Sequence, residues 1–152
     1  MKLAEALQER ADLNRKIDQL RSRIQSNVLV QEGEKPNEDP KSLMKELDES
    51  LARLEFLMAA INRTNCQTVV EGKTLTQLIA KKDALKAKQS AYRDILYTAS
   101  QNTQRARNTE IKIITAIPVA QLQKKTDDMA KELRELENKL QSSNWLTDLL
   151  EE

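Results

Sequence analysis

Histidine is missing altogether from these 152 residues. The commonest general base and the commonest protein metal ligand are therefore unavailable, and any chemistry falls to carboxylates, lysines, tyrosines or one cysteine. A single cysteine, Cys66, cannot form an intramolecular disulfide, and with no Cys/His cluster beside it the thiol reads as reduced and inert rather than as a zinc ligand. These absences predict a protein with no enzymatic activity, no cofactor and no metal. Only two glycines and three prolines occur, so helices run long before anything interrupts them. Aromatic residues make up 3% of the chain, too few for a conventional aromatic core. No stretch approaches the roughly 18 apolar residues that a membrane-spanning helix needs, and the first residues, MKLAEALQERADLNRK, are charged throughout. The expectation is a cytoplasmic protein that makes no membrane contact. A formal net charge of +1 gives no long-range field that would draw the whole molecule onto a polyanion, so any such site must be local.

What is present is helical periodicity. Leu3, Leu7, Leu13, Ile17, Leu20, Ile24 and Val28 recur mostly three or four residues apart among charged residues, which predicts an amphipathic helix over about 2–29. Residues 31–40 carry no apolar side chain except their prolines and include Gly33, Pro36 and Pro40, the composition of an exposed loop. Asp39 before Pro40 reads as an N-cap followed by a first helical position, where proline's missing N–H is not needed. A second stripe, Leu43, Leu47, Leu51, Leu54, Met58 and Ile61, carries a helix to about residue 64, antiparallel to the first in an αα-hairpin.

Past Asn65 the pattern changes. Thr68-Val69-Val70 and Lys73-Thr74-Leu75 flank Glu71-Gly72, predicting a small β-hairpin over about 67–75, although the first residue of such a turn must accept positive φ and glutamate does so poorly. Thr76 is the expected cap of a third helix over about 76–99, striped by Leu78, Leu85, Tyr92, Ile95, Leu96 and Ala99. Ile111, Ile113, Thr115 and Ile117 alternate with Lys112, Ile114 and Ala116, a strand period over about 110–117 that Pro118 stops. The fourth helix, about 119–142, has the cleanest repeat. Val119, Leu122, Thr126, Met129, Leu133, Leu136, Leu140 and Ser143 are spaced 3, 4, 3, 4, 3, 4, 3, the pattern of a coiled-coil seam. A short last helix over about 145–151 is expected to dock Trp145 and its neighbouring leucines on a partner. Together these elements predict one mostly α domain over 1–152, a helical bundle or coiled coil with a β-hairpin and one short strand.

Burying each leucine contributes about 1.5–3 kcal/mol, far more than an exposed ion pair, so covering the seam decides the architecture. The seam residues Val119, Leu122, Met129, Leu133, Leu136 and Leu140, with Trp145, are therefore expected to be covered by neighbouring helices, some from another copy, the αα-hairpin and this helix supplying the subunit contacts and the β elements pairing within or across subunits. A competing reading is a nucleic-acid contact. Lys81, Lys82, Lys86, Lys88, Arg93, Arg105 and Arg107 outnumber Asp83 and Asp94, an excess of +5, with tyrosines nearby for stacking. From 126 to 152, however, eight acidic residues face three basic ones, an excess of 5 negative charges, and mutual neutralisation of the two helices is the favoured explanation. A third reading is a ligand-binding or hydrolytic pocket at a subunit interface, where Asn62 and Asn65 meet Asn144 and Trp145. Asp127 and Asp128 point about 100° apart on a helix and cannot share one site. The acidic loop lacks the calcium-loop spacing.

Five pieces carry a resemblance. They are Asn14-Arg15-Lys16-Ile17 with Arg21; Gln31-Glu32-Gly33-Glu34-Lys35-Pro36 with Glu38-Asp39-Pro40; Ile61-Asn62-Arg63-Thr64-Asn65; Lys81-Lys82-Asp83; and Arg134-Glu135-Leu136 with Gln141 and Asn144-Trp145. In order and spacing they resemble an uncharacterised bacterial family of small helical proteins often labelled septicolysin-like. The resemblance implies a helical fold and a homo-oligomer built from dimers, up to a hexamer. Its cytolysin label is discounted, since the only alternating segment, 111–117, is shorter than the about 9–11 residues of a membrane-spanning strand.

Overall fold

The computed structural model describes residues 1–101 and 110–152. Four helices dominate: α1 (Leu3–Asn27), α2 (Pro40–Gln67), α3 (Leu75–Ala99) and α4 (Val119–Leu146), with strands β1 (Val69–Val70) and β2 (Lys73–Thr74) forming a two-stranded sheet. The fold is mostly α, as the periodicity predicts. The chain divides into two compact units, residues 1–70 with 143–152, and residues 71–142.

In the first unit α1 and α2 form the expected αα-hairpin. Asp39 caps α2, its carboxylate accepting from the Lys41 amide at 3.2 Å, and Pro40 opens the helix. Asn27 braces the other side of the loop. Its amide donates to the Arg23 carbonyl at 2.8 Å and its oxygen accepts from the Glu38 amide at 3.0 Å. Three ion pairs fix the antiparallel register: Glu9 with Arg53 at 2.7 Å, Lys16 with Glu46 at 2.8 Å, and Arg23 with Glu38. The partners lie a heptad apart along α1 and step back by seven residues along α2 and then by eight into the loop before it, so each pair reinforces the same alignment.

The buried face of α2 is not the whole stripe that the leucines suggest. Leu43, Ser50, Leu57, Ala60, Ile61 and Thr64 are buried, whereas Leu51 and Met58 are 43% and 48% exposed. Val28, at the end of the expected first stripe, also faces outward, and Ala6 is buried instead.

The carboxy-terminal residues close on this unit. The Leu3 amide donates to the Thr147 carbonyl and the Leu149 amide to the Met1 carbonyl, both at 2.9 Å, an antiparallel bridge between Lys2 and Asp148. Thr64 Oγ1 accepts from the Leu150 amide at 2.9 Å and donates to the Ala60 carbonyl at 2.8 Å. Arg63 donates to the Leu150 carbonyl at 3.3 Å, and the Lys2 ammonium lies 2.7 Å from the Asp148 carboxylate. A separate helix over 145–151 is therefore not formed. Helix α4 continues through Trp145 and Leu146, and the residues beyond leave it to make this bridge.

In the second unit Thr74, not Thr76, caps α3, accepting from the Gln77 amide while the Gln77 side chain accepts from the Thr74 amide. The turn before it places Glu71 at φ 50° and Gly72 at φ 79°, so glutamate does take the positive φ this turn requires. Lys139 pairs with the Glu71 carboxylate. Leu75, Leu78, Lys82, Leu85, Gln89, Tyr92, Leu96 and Ala99 of α3 are buried or half-buried and follow the same alternation of three and four as the α4 seam, with Ile79 half-buried beside the row. Leu85 packs with Met129 and Leu133, and Tyr92 rests against them. As α3 runs from Lys81 to Tyr92, its α4 partners run back from Glu132 to Lys125, an antiparallel pair. The strand expected over 110–117 is not formed. Only Lys112 takes a bridge position, and the residues after it are irregular, because an alternating pattern becomes a strand only where a ladder partner is supplied.

Candidate functional site

The expected intersubunit seam on α4 lies largely inside one chain. Met129, Leu133, Leu136 and Leu140 are buried, as are Thr126 and Ser143, and Val119 and Leu122 are half-buried. Helix α3 supplies cover at Leu85 and Tyr92, so this ridge does not require a second copy. Trp145 does not share that burial and is 52% exposed.

The basic face of α3 is met by acids of α4. Lys81 lies 2.9 Å from Glu132 and Lys86 3.1 Å from Glu137, while Lys82 faces Asp83 at 3.6 Å. That is the mutual neutralisation favoured from the sequence. Lys88 stands over the Tyr92 ring, 5.8 Å from its centroid, and Lys125 stands 4.9 Å from the same centroid and donates to the phenolic oxygen at 3.0 Å. Hydrogen bonding by the Lys125 ammonium, reinforced by its charge, pulls the Tyr92 hydroxyl below its ordinary range. Tyr92 thus serves the packing of the helix pair and is half-buried rather than offered as a stacking platform. Arg93 is exposed. Arg105 and Arg107 lie outside the described residues.

Of the residues expected to line a pocket, Asn62 is exposed and Asn65 and Asn144 are half-buried, while Arg63 between the first two anchors the carboxy-terminal tail. A cavity of about 560 Å³ lies elsewhere, between the end of α3 and residues 113–117, and shares no residue with them. Ile95, Ile113, Ile114 and Ile117 give it an apolar lining, and Asp94 sits at its edge. The sequence reading missed it as a site. Its signal in the sequence is the run of isoleucines after residue 110, whose alternation predicts a strand. Cys66 is an exposed thiol in the last turn of α2. Among the described residues no three His, Cys, Asp or Glu side chains gather into a metal-holding group, and no helix is long and apolar enough to cross a membrane.

These features define a mostly α-helical protein of two antiparallel helix pairs, knit by heptad-spaced apolar seams and interhelical ion pairs. Residues 10–149 match the model of a family of unknown function, DUF6847, and the chain belongs to that family. It is also similar to a crystal structure of a functionally unknown conserved protein from Corynebacterium diphtheriae, at 36% sequence identity and a TM-score of 0.90, over 99% of each chain. None of the curated proteins matches it. The septicolysin-like label drawn from the sequence is not supported by these likenesses, which carry a family of unknown function in its place.

Proposed function

We propose that this chain acts by self-association, as a non-catalytic helical interaction protein whose copies assemble from dimers into a closed homo-oligomer. The observation that carries the reading is the second apolar stripe on α2. Met44, Leu51 and Met58 lie one heptad apart and all three are exposed. Helix α2 already buries one seam against α1, so this is an additional seam on a helix that has satisfied its own hairpin. Contiguous apolar surface of this kind marks an interaction site.

The occupant is a second α2. A two-fold antiparallel pairing about Leu51 brings Met44 of each copy to Met58 of the other, and it places Lys45 and Glu55, which flank the stripe on either side of its midpoint, close to one another across the axis. A net charge near zero leaves two copies with no general repulsion. Size-exclusion chromatography with light scattering tests the proposal. The expected mass is a multiple of the 17.4 kDa chain, and Leu51→Glu with Met58→Glu lowers it. A wild-type chain that runs as a monomer at micromolar concentration overturns it.

A further inference from the structure

The groove at the end of α3 is a second exposed apolar surface, distinct from the α2 stripe. Its lining residues Ile95, Ile113, Ile114 and Ile117 are exposed, Ile114 at 80%. Ile114 is thus part of the groove's wall and leaves most of its own surface uncovered. The charges at its edge are opposite and reciprocal. Asp94 borders the groove, and Lys112 precedes the isoleucines that line it.

We infer that this groove receives the 112–117 segment of a second copy, Ile114 of each chain entering the groove of the other and Lys112 of each meeting the partner's Asp94. The contact is isologous, because the inserted segment and the receiving groove belong to the same surface patch. An apolar anchor in a pocket with a charged rim is the usual anatomy of a specific contact. The proposal rests on the self-association reading above and adds to it a second, non-equivalent two-fold interface.

Light scattering on four chains tests it: wild type, Ile114→Asp, Leu51→Glu with Met58→Glu, and the three substitutions combined, each checked for helicity by circular dichroism. The expected result is a wild-type assembly that each set alone reduces to dimers and that the combination reduces to monomers. An Ile114→Asp chain that keeps the full wild-type mass overturns this inference and leaves the α2 interface standing; that result also covers a groove that takes some other partner. A monomeric wild type overturns both. If Ile114→Asp loses helicity, the rim pair decides. Asp94→Lys alone should lower the mass and Asp94→Lys with Lys112→Asp should restore it, and a double variant no larger than the single refutes the contact.

Discussion

Thr64 is where α2 holds the carboxy-terminal tail, and replacing it by valine isolates that contact. The side chain is 0% exposed, and its one oxygen accepts from the Leu150 amide while donating back to the Ala60 carbonyl. Valine keeps the volume and removes the oxygen, so the packing around this buried position is little changed. The Ala60 carbonyl retains its ordinary helical bond, but the part-buried Leu150 amide loses its acceptor. A hydrogen bond contributes about 0.5–1.5 kcal/mol net, and a buried donor left unpaired costs about 1–3 kcal/mol. Because Leu150 is only partly buried, the lower part of that span applies, about 1–2 kcal/mol. For a chain of this length that corresponds to a fall in melting temperature of roughly 2–8 °C. Amide hydrogen exchange reads the same event locally. The Leu150 amide should lose protection in Thr64→Val and keep it in Thr64→Ser, which retains the oxygen. A valine variant as stable as wild type, with Leu150 still protected, would refute the assignment of Thr64 as the anchor of the tail.

Two further outcomes follow from the first unit. Leu57→Ala, at a fully buried position on α2, should cost about 2–5 kcal/mol in urea unfolding, whereas Leu29→Ala, at a residue 88% exposed, should stay within about 0.5 kcal/mol; equal effects would place the core elsewhere. Acid should weaken the hairpin. Hydrogen bonds from Arg53, Arg23 and Lys16 hold the Glu9, Glu38 and Glu46 carboxyls below their ordinary 4.5, and Lys2 holds Asp148 below 3.8. Folded values lower than unfolded ones mean a contribution fully present above the unfolded values and lost as pH falls through the folded ones. Urea midpoints should therefore show no loss from these groups between pH 7 and about 5 and should drop below about 4.5; a midpoint that rises on acidification contradicts the ion-pair ladder.

The four long helices were legible because so little interrupts them, and the ends that carry strong local chemistry were legible as well. Asp39-Pro40 starts α2 and Glu71-Gly72 turns the hairpin as read, and every residue of the α4 seam is buried or half-buried. The phase of α2 was harder to read. That helix bears two apolar rows about 100° apart, and the buried one is completed by the small Ala60 and by Ser50 and Thr64, which hydropathy does not flag. In α3 the seam runs through Lys82 and Gln89 and so hides behind polar residues. The ladder of Glu9, Lys16 and Arg23 could be recognised only once the hairpin's register was known. The strand misreading at 110–117 has a related cause. Alternation states what a segment can do, while pairing depends on partners far away in the sequence or outside it. The candidate site suffered most, because a groove is made by two segments brought together and neither announces it alone.

The covered α4 ridge changes where evidence for assembly has to come from. A heptad seam argues for a second copy only while it lacks a partner, and α3 supplies cover at Leu85 and Tyr92. Among the apolar residues that stay exposed are the row Met44, Leu51 and Met58 in one unit and the isoleucines around the groove in the other. Two different two-fold contacts on one chain have a geometric consequence that one contact lacks. A single isologous interface stops at the dimer, whereas two that alternate add copies until a ring closes, and the closed ring holds an even number of chains with dihedral symmetry. Six is one such number, and an odd number is excluded. An assembly of three or five copies would therefore rule out the alternating pair of interfaces, even if each surface were buried in it.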